Sequence, residues 1–274
     1  MPRFDYVRAQ SIEHALELMG DSSYKSRALA GGTDLLVLIR HQPPSFDRVV
    51  DLTRVPEMKA IERWGNEVYL GAAATFTEVA ESRVMQEFAP CLVEAAVTVG
   101  GPAIRNMGTV GGNTINAAAC ADGVPSLVCL DAVAHLAGAH GTRSLLVGDL
   151  VTGANRTAIQ PGELLTHFTF PIPPPGSRQA FYKLGRRNAQ AISRLSMAAA
   201  GRLDGQGCID YVRLVPGAAM PTPRRFAAVE AMLLGRKPAE DLLAAAGIRT
   251  AELMLEVTGR RWSTEYKEVV IQAL

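Results

Sequence analysis

The sequence predicts an α+β protein in three parts, and three observations carry that reading. Short helix-like and strand-like segments alternate through the first 170 residues or so. A proline run, Pro171-Ile172-Pro173-Pro174-Pro175-Gly176, then forms a stiff connector. Beyond it, strand patterns come first and helix patterns last, the order of a separate α+β unit. The expected parts are a first α/β subdomain over 1–55, a second over 56–172, and an antiparallel sheet with helices over 177–274.

In the first part, Ser11 is placed to cap a helix through Met19, with Ile12, Ala15, Leu16 and Met19 on one face. Residues 27–30 read as a strand that stops at Gly31-Gly32. A helix runs from Asp34 to about His41 and ends before Pro43-Pro44, and 49–52 is a second strand. In the second part come a strand at Val68-Tyr69-Leu70, a helix capped by Thr75 or Thr77, and a helix over 90–97. The glycine-dense stretch 100–112 follows, then a helix from Asp122 and a strand over 163–170. Pro125 falls in the first turn of that helix, where its missing N–H costs little. The third part reads as strands at 181–184, 195–203 and 211–215, then helices at 224–234, 239–257 and 264–274.

With 274 residues, 48% of them hydrophobic, the chain can bury a large core. Its 28 Lys+Arg against 27 Asp+Glu leave no electrostatic footprint for nucleic acid or an anionic membrane. The longest apolar run in the first third, 35–39, falls far short of the ~20 residues of a membrane span, and the opening residues lack a secretory pattern. A cytoplasmic protein without a membrane span is expected. Cys91, Cys120, Cys129 and Cys208 form no Cys-x-x-Cys pair, so they read as reduced thiols and no metal is expected on this chain.

Two stretches share one design: Leu29-Ala30-Gly31-Gly32-Thr33-Asp34-Leu35 and Thr109-Val110-Gly111-Gly112-Asn113-Thr114-Ile115. Adjacent glycines let successive backbone N–H groups turn toward one point, a concavity suited to phosphate oxygens. Two such loops facing each other would hold a pyrophosphate from both sides, with Thr33 and Asn113 as side-chain donors. Valine at Gly32 or Gly111 would then empty the site and leave the fold largely intact. Taken singly, each glycine pair reads as readily as a tight turn, Asp34 and Asp122 as helix caps, and Lys183 as a solvent-facing strand residue. Gly-x-Gly-x-x-Gly, Walker, His-Glu-x-x-His and Gly-x-Ser-x-Gly patterns do not occur, and no catalytic side-chain set emerges.

The stretch Ala30 to Leu36 resembles the first FAD loop of the medium subunits of molybdenum hydroxylases, the xanthine dehydrogenase family. Gly101-Pro102-Ala103-Ile104-Arg105-Asn106, continuing through Gly111-Gly112-Asn113 to Asp122, resembles the second loop, most closely that of bacterial xanthine dehydrogenase FAD subunits. Similar matches recur in order at 163–165, 181–183, 221–224 and 262–267. The resemblance implies a two-subdomain FAD-binding fold of the PCMH (vanillyl-alcohol-oxidase-like) type, followed by a C-terminal α+β domain of the CO dehydrogenase flavoprotein type. It implies that Ala30 to Leu35 cradle the FAD pyrophosphate, Leu29 leading into the loop, and that Thr109, Gly111, Gly112 and Asn113 complete the cradle. Ile115 would pack near the flavin, Asp122 would bond ribose or ribityl hydroxyls, Leu165 would offer a backbone contact, and Lys183 would sit near the pyrimidine end.

The same resemblance implies partners: a small subunit with 2Fe-2S clusters and a large molybdopterin subunit, in a dimer of heterotrimers. Electrons would leave the FAD for NAD+ or another acceptor while a purine or related N-heterocycle is hydroxylated. Ala191 stands where relatives often carry Asp, which bears on how a nicotinamide is received. No Cys-rich insertion follows Asp122, unlike the branch with an extra iron–sulfur cluster. The alternatives are a stand-alone FAD-dependent reductase of the same fold, a non-enzymatic nucleotide-binding subunit, and a structural subunit without cofactor.

Overall fold

The computed structural model describes residues 4–274. It opens with a strand that the sequence pattern does not predict, β1 (Asp5–Arg8), where Tyr6 and Arg8 both bond the carboxylate of Asp51. In α1 (Ile12–Gly20) the Ser11 hydroxyl accepts the His14 N–H, as its position predicts. Next come β2 (Ser26–Leu29), α2 (Leu35–His41) and β3 (Arg48–Asp51). The fully buried β3 lies between β1 and β2, parallel to both, the outcome of two helical crossovers.

The second part begins with β4 (Ile61–Trp64) and β5 (Glu67–Gly71). Six helices follow: α3 (Phe76–Glu81), α4 (Arg83–Phe88), α5 (Pro90–Thr98), α6 (Pro102–Arg105), α7 (Val110–Asn116) and α8 (Gly123–Cys129). Thr75, not Thr77, caps α3, closing a reciprocal box with Glu78. Then come β6 (Val133–Gly138), β7 (Gly141–Leu146), α9 (Val147–Leu150), β8 (Val151–Gly153), β9 (Arg156–Thr157) and β10 (Leu164–Pro171). The five-stranded sheet runs β4-β5-β10-β6-β7 and is antiparallel throughout, unlike the first. Leu70, Phe168 and Phe170 are buried in the core on one face. On the other, Trp64, Tyr69, His167 and His135 stack across four strands, ring centroids 4.4, 4.5 and 4.2 Å apart.

The third part holds β11 (Arg178–Leu184), β12 (Leu195–Leu203) and β13 (Ile209–Gly217) as an antiparallel sheet in that order. It ends in α10 (Ala227–Leu233), α11 (Glu240–Thr258) and α12 (Thr264–Ala273). The proline run does not separate two independent cores. Phe181, Ala198, Ala200 and Val215 share one apolar cluster with Leu70, Phe168 and the first part's Ala15 and Val50, while the C-terminal helices close a second cluster around Leu195, Phe226 and Met254. Arg213 and Arg225 both reach Asp131, at 3.0 and 2.9 Å, tying the third part to the end of α8. No helix among the described residues is long and apolar enough to cross a membrane.

Candidate functional site

The two glycine loops meet. A Cβ added at Gly31 would lie 1.9 Å from the Met107 carbonyl oxygen and 2.9 Å from the Gly108 Cα, so only glycine permits this contact of main chains. Thr33 stands across the same seam, its Oγ1 3.6 Å from where a Gly108 Cβ would be.

In the first loop, Gly32 takes a left-handed φ of 71°, which turns the direction of the amides. Among the described residues, the N–H groups of Gly31, Gly32, Thr33 and Asp34 find no protein acceptor, although three of the four residues are partly buried. Asp34 precedes α2 but its side chain makes no capping bond. Four successive free donors beside a second loop suit an anion with several oxygens.

The second loop departs from the sequence expectation. Gly111 and Gly112 fall inside the first turn of α7, and their amides are already engaged. Gly111 N–H donates to the Ala72 carbonyl at 2.8 Å, Gly112 N–H to the Thr109 hydroxyl at 3.0 Å, and Asn113 N–H to the Thr109 carbonyl at 2.9 Å. What this loop leaves free is a side chain: Asn113 Oδ1 is buried without a partner, 3.0 Å from where a Gly123 Cβ would lie. An amide flip would present Nδ2 there instead, so the position offers one polar atom of either kind.

The glycines themselves serve protein packing more than ligand space. A Cβ at Gly111 would meet the Ala72 carbonyl at 2.5 Å, and one at Gly32 would meet Leu29 and Leu36 side chains at 3.2 and 3.3 Å on a strained backbone. Valine at either position therefore disturbs the fold, contrary to the expectation of an intact fold with an empty site.

A buried ion pair lies next to Gly123. Asp122, the residue before α8, makes no capping bond. Its Oδ2 receives the Lys183 ammonium at 2.5 Å and its Oδ1 the Ser193 hydroxyl at 2.5 Å, while Lys183 also donates to the Thr98 carbonyl at 3.0 Å. Both ionic side chains are 9% exposed. Burial pushes the Asp122 carboxyl up, and Lys183 and Ser193 oppose that shift. Lys183 is thus not a solvent-facing strand residue. Ser193 carries no signal in the sequence, since 71 residues separate it from Asp122.

The remaining predicted residues are dispersed. Leu29, at the end of β2, accepts from Leu52 N–H at 2.8 Å, and Ala30 leads from it into the loop. Ile115 packs against the main core. Leu165 is buried beside a register shift in β10, and the neighbouring Thr166 carbonyl accepts from Ala72 N–H at 3.0 Å. Ala72 thereby links β10 to the second loop, a link with no sequence signal. All four cysteines are free, and no three of the described His, Cys, Asp or Glu residues cluster for a metal.

These residues form a binding arrangement, with no nucleophile and base in register. Four unpartnered donors in the first loop, an unpartnered buried side-chain oxygen at Asn113 and a buried ion pair at Asp122–Lys183 are features compatible with a long cofactor with a diphosphate. The family described as the FAD binding domain in molybdopterin dehydrogenase matches residues 2–173, and that of the CO dehydrogenase flavoprotein C-terminal domain matches 180–274. A putative xanthine dehydrogenase FAD-binding subunit of Escherichia coli is 33% identical, over 80% of this chain and 75% of its own. The nicotinate dehydrogenase FAD-subunit of Eubacterium barkeri is 29% identical over 100% of this chain and 94% of its own. Among solved structures, reconstituted CO dehydrogenase from Oligotropha carboxidovorans superposes with a TM-score of 0.91 at 27% identity, covering 100% of this chain and 95% of that one. On fold, loops and sequence together, the chain belongs to the FAD-binding medium subunits of the molybdenum hydroxylases, and is an oxidoreductase flavoprotein subunit.

Proposed function

We propose that this chain takes electrons from 2Fe-2S clusters of a small partner subunit and passes them through FAD to NAD+ or another acceptor, while a large molybdopterin subunit hydroxylates a purine or related N-heterocycle. The single observation that carries the cofactor's placement is the row of four unpartnered N–H groups at Gly31 to Asp34, set against the second loop. Bound FAD supplies the redox chemistry; the chain supplies placement, electrostatics and exclusion of water.

In this reading, Gly31 to Asp34 donate to the diphosphate with Thr33 alongside, and Asn113 contributes its free amide. Asp122 and Ser193 face the polyol part, while Ile115 and Leu165 lie along the cofactor. Lys183 is balanced by a carboxylate 2.5 Å away, so it acts on the flavin as one end of a dipole rather than as a lone cation. The relatives named for nicotinate, xanthine and caffeine dehydrogenases favour an N-heterocycle as the complex's substrate. Purification from the native source is the test. Stoichiometric flavin absorbance with two copurifying subunits is expected; a colourless chain, or a catalytically complete monomer, overturns the proposal.

A further inference from the structure

Two thiols of the main core meet across two helices. Cys91 lies in the first turn of α5 and Cys129 is the last residue of α8, and neither has any exposed surface. The helices touch at these ends. The Ser126 hydroxyl donates to the Cys91 carbonyl at 3.1 Å, and Cys129 follows Ser126 by three residues, on the same face of α8. The Cys129 thiol bonds the Cys91 sulfur. That hydrogen bond first, and burial second, push the Cys129 thiol well up, so Cys129 keeps its proton and leaves Cys91 as the attacking sulfur. The other two cysteines stand apart and are partly exposed: Cys120 precedes the opposite end of α8, and Cys208 lies in the connection between β12 and β13.

What lies between the two thiols gives the pair its interest. The chain from Cys91 to Cys129 contains Thr98, the whole second loop with Asn113, and Asp122. Lys183 already joins the other ends of the two helices, since it donates both to the Thr98 carbonyl at the end of α5 and to Asp122 just before α8. A bond between the sulfurs would therefore close a covalent ring around the second loop, fastened by an ion pair at one end and a disulfide at the other. Closing such a loop removes conformations that the open segment can visit, and so opposes its local opening.

We infer that Cys91 and Cys129 are a reversible redox staple: oxidation by a peroxide joins them as a disulfide that locks α5 to α8 and holds the second loop closed on its cofactor. The Cys91 thiolate attacks one oxygen of hydrogen peroxide, the O–O bond breaks, and hydroxide leaves and is protonated to water, giving a sulfenic acid at Cys91. The Cys129 sulfur then attacks the sulfenic sulfur; its proton leaves with the displaced hydroxide as a second water. Two thiols lose two electrons and one peroxide becomes two waters. Because both sulfurs are buried, the peroxide enters only when the helices part, and the disulfide then suppresses that parting. The locking of the cofactor rests on the placement proposed above; the cross-link itself does not.

The test treats the flavin-loaded complex with hydrogen peroxide under native conditions, blocks remaining thiols, and maps this chain's peptides by mass spectrometry without reductant. A Cys91–Cys129 cross-linked peptide is expected, and dithiothreitol should release it. Flavin release on warming, followed by the fluorescence of free flavin, should be about threefold slower or more in the oxidised complex, with dithiothreitol restoring the original rate. Cys91→Ala and Cys129→Ala should each abolish both the cross-link and the slowing; the wild-type map decides even where a variant fails to assemble. Oxidation confined to Cys120 and Cys208, or a cross-link formed only after denaturation, overturns the staple. A cross-link that leaves flavin release unchanged or faster, or slowing that persists in either variant, overturns its locking role. A complex that forms the cross-link yet is isolated without flavin upholds the staple and counts against the proposed function, so the two failures are separable.

Discussion

At Gly31-Gly32 the backbone donors are free and the glycines let two main chains touch; at Gly111-Gly112 the donors are consumed by the first turn of a helix. The same Gly-Gly pair thus serves two ends. The first loop leaves its amides unpartnered. The second, fastened through Ala72 to the five-stranded sheet, offers rigidity and one free side-chain amide at Asn113. A glycine pair therefore reports close approach or an unusual φ, and hydrogen-bond accounting alone tells whether its amides are available.

The largest effect should come from Gly31→Ala and Gly111→Ala, because the new methyl would sit 1.9 and 2.5 Å from a carbonyl oxygen. We expect a loss of about 3 kcal/mol or more in denaturant unfolding for each. Gly31→Ala should also lower flavin content, since it pushes the two loops apart. Wild-type stability together with full flavin in that variant would dissolve the distinction between the loops.

Comparable in size is the ion pair beside the second loop. Asp122→Asn should cost about 3–5 kcal/mol by leaving the Lys183 ammonium buried alone, and Asp122→Asn with Lys183→Met should recover about 1–3 kcal/mol. If the double variant is less stable than the single one, Lys183 is held by groups other than Asp122.

A pH titration of stability separates the sheets behind the loops. Burial, with the charge of His135 second, lowers His167 from 6.5 to about 4. The unfolded imidazole takes up a proton that the folded one refuses, so stability is full above about 6.5 and declines as pH falls toward 4, by about 1–2 kcal/mol after allowing for solvent screening. Asp51, in the first sheet, behaves in another window. Burial raises its carboxyl, but hydrogen bonds from Tyr6, Thr53 and Arg8 outweigh that and hold it below 3.8. Its contribution is present above that value and is lost only as pH falls through the lower, folded pKa. His167→Asn should flatten the slope between pH 6.5 and 4 and leave the more acidic loss in place; an unchanged slope removes His167 as its source.

The smallest effects belong to the first helical turn of the second loop. Thr109→Ala should cost about 1 kcal/mol through loss of the cap to Gly112. Gly112→Ala should stay within about 0.5 kcal/mol. Its helix-propensity gain is set against a 2.8 Å approach to the Thr109 hydroxyl, which can rotate. A thermal melt of each variant is sufficient to check both values.

Local pattern was a good guide where one segment satisfies itself. Ser11, the apolar face of α1, Pro43-Pro44 and the long strands at 195–203 and 209–217 all lie within a residue or two of expectation. It failed where neighbours supply the reason. β6, Val133–Gly138, includes Ala134, Ala137 and Gly138, residues of poor strand propensity, and is held by β10 and β7 on either side. α7 carries two glycines in its first turn, a pattern that reads as a loop, yet Thr109 caps it and Ala72 and Ala74 accept its first amides.

By itself, the sequence determined the α+β class, the two glycine loops and the family to which they belong, because these rest on short-range backbone chemistry and on motif order. Tertiary structure alone decided that the loops touch, that only the first keeps its amides free, and that Lys183 and Ser193 converge on Asp122 from 61 and 71 residues away. Contacts across such separations depend on how sheets and helices pack, and no local pattern records which carbonyl or carboxylate a side chain will find at the end of that packing.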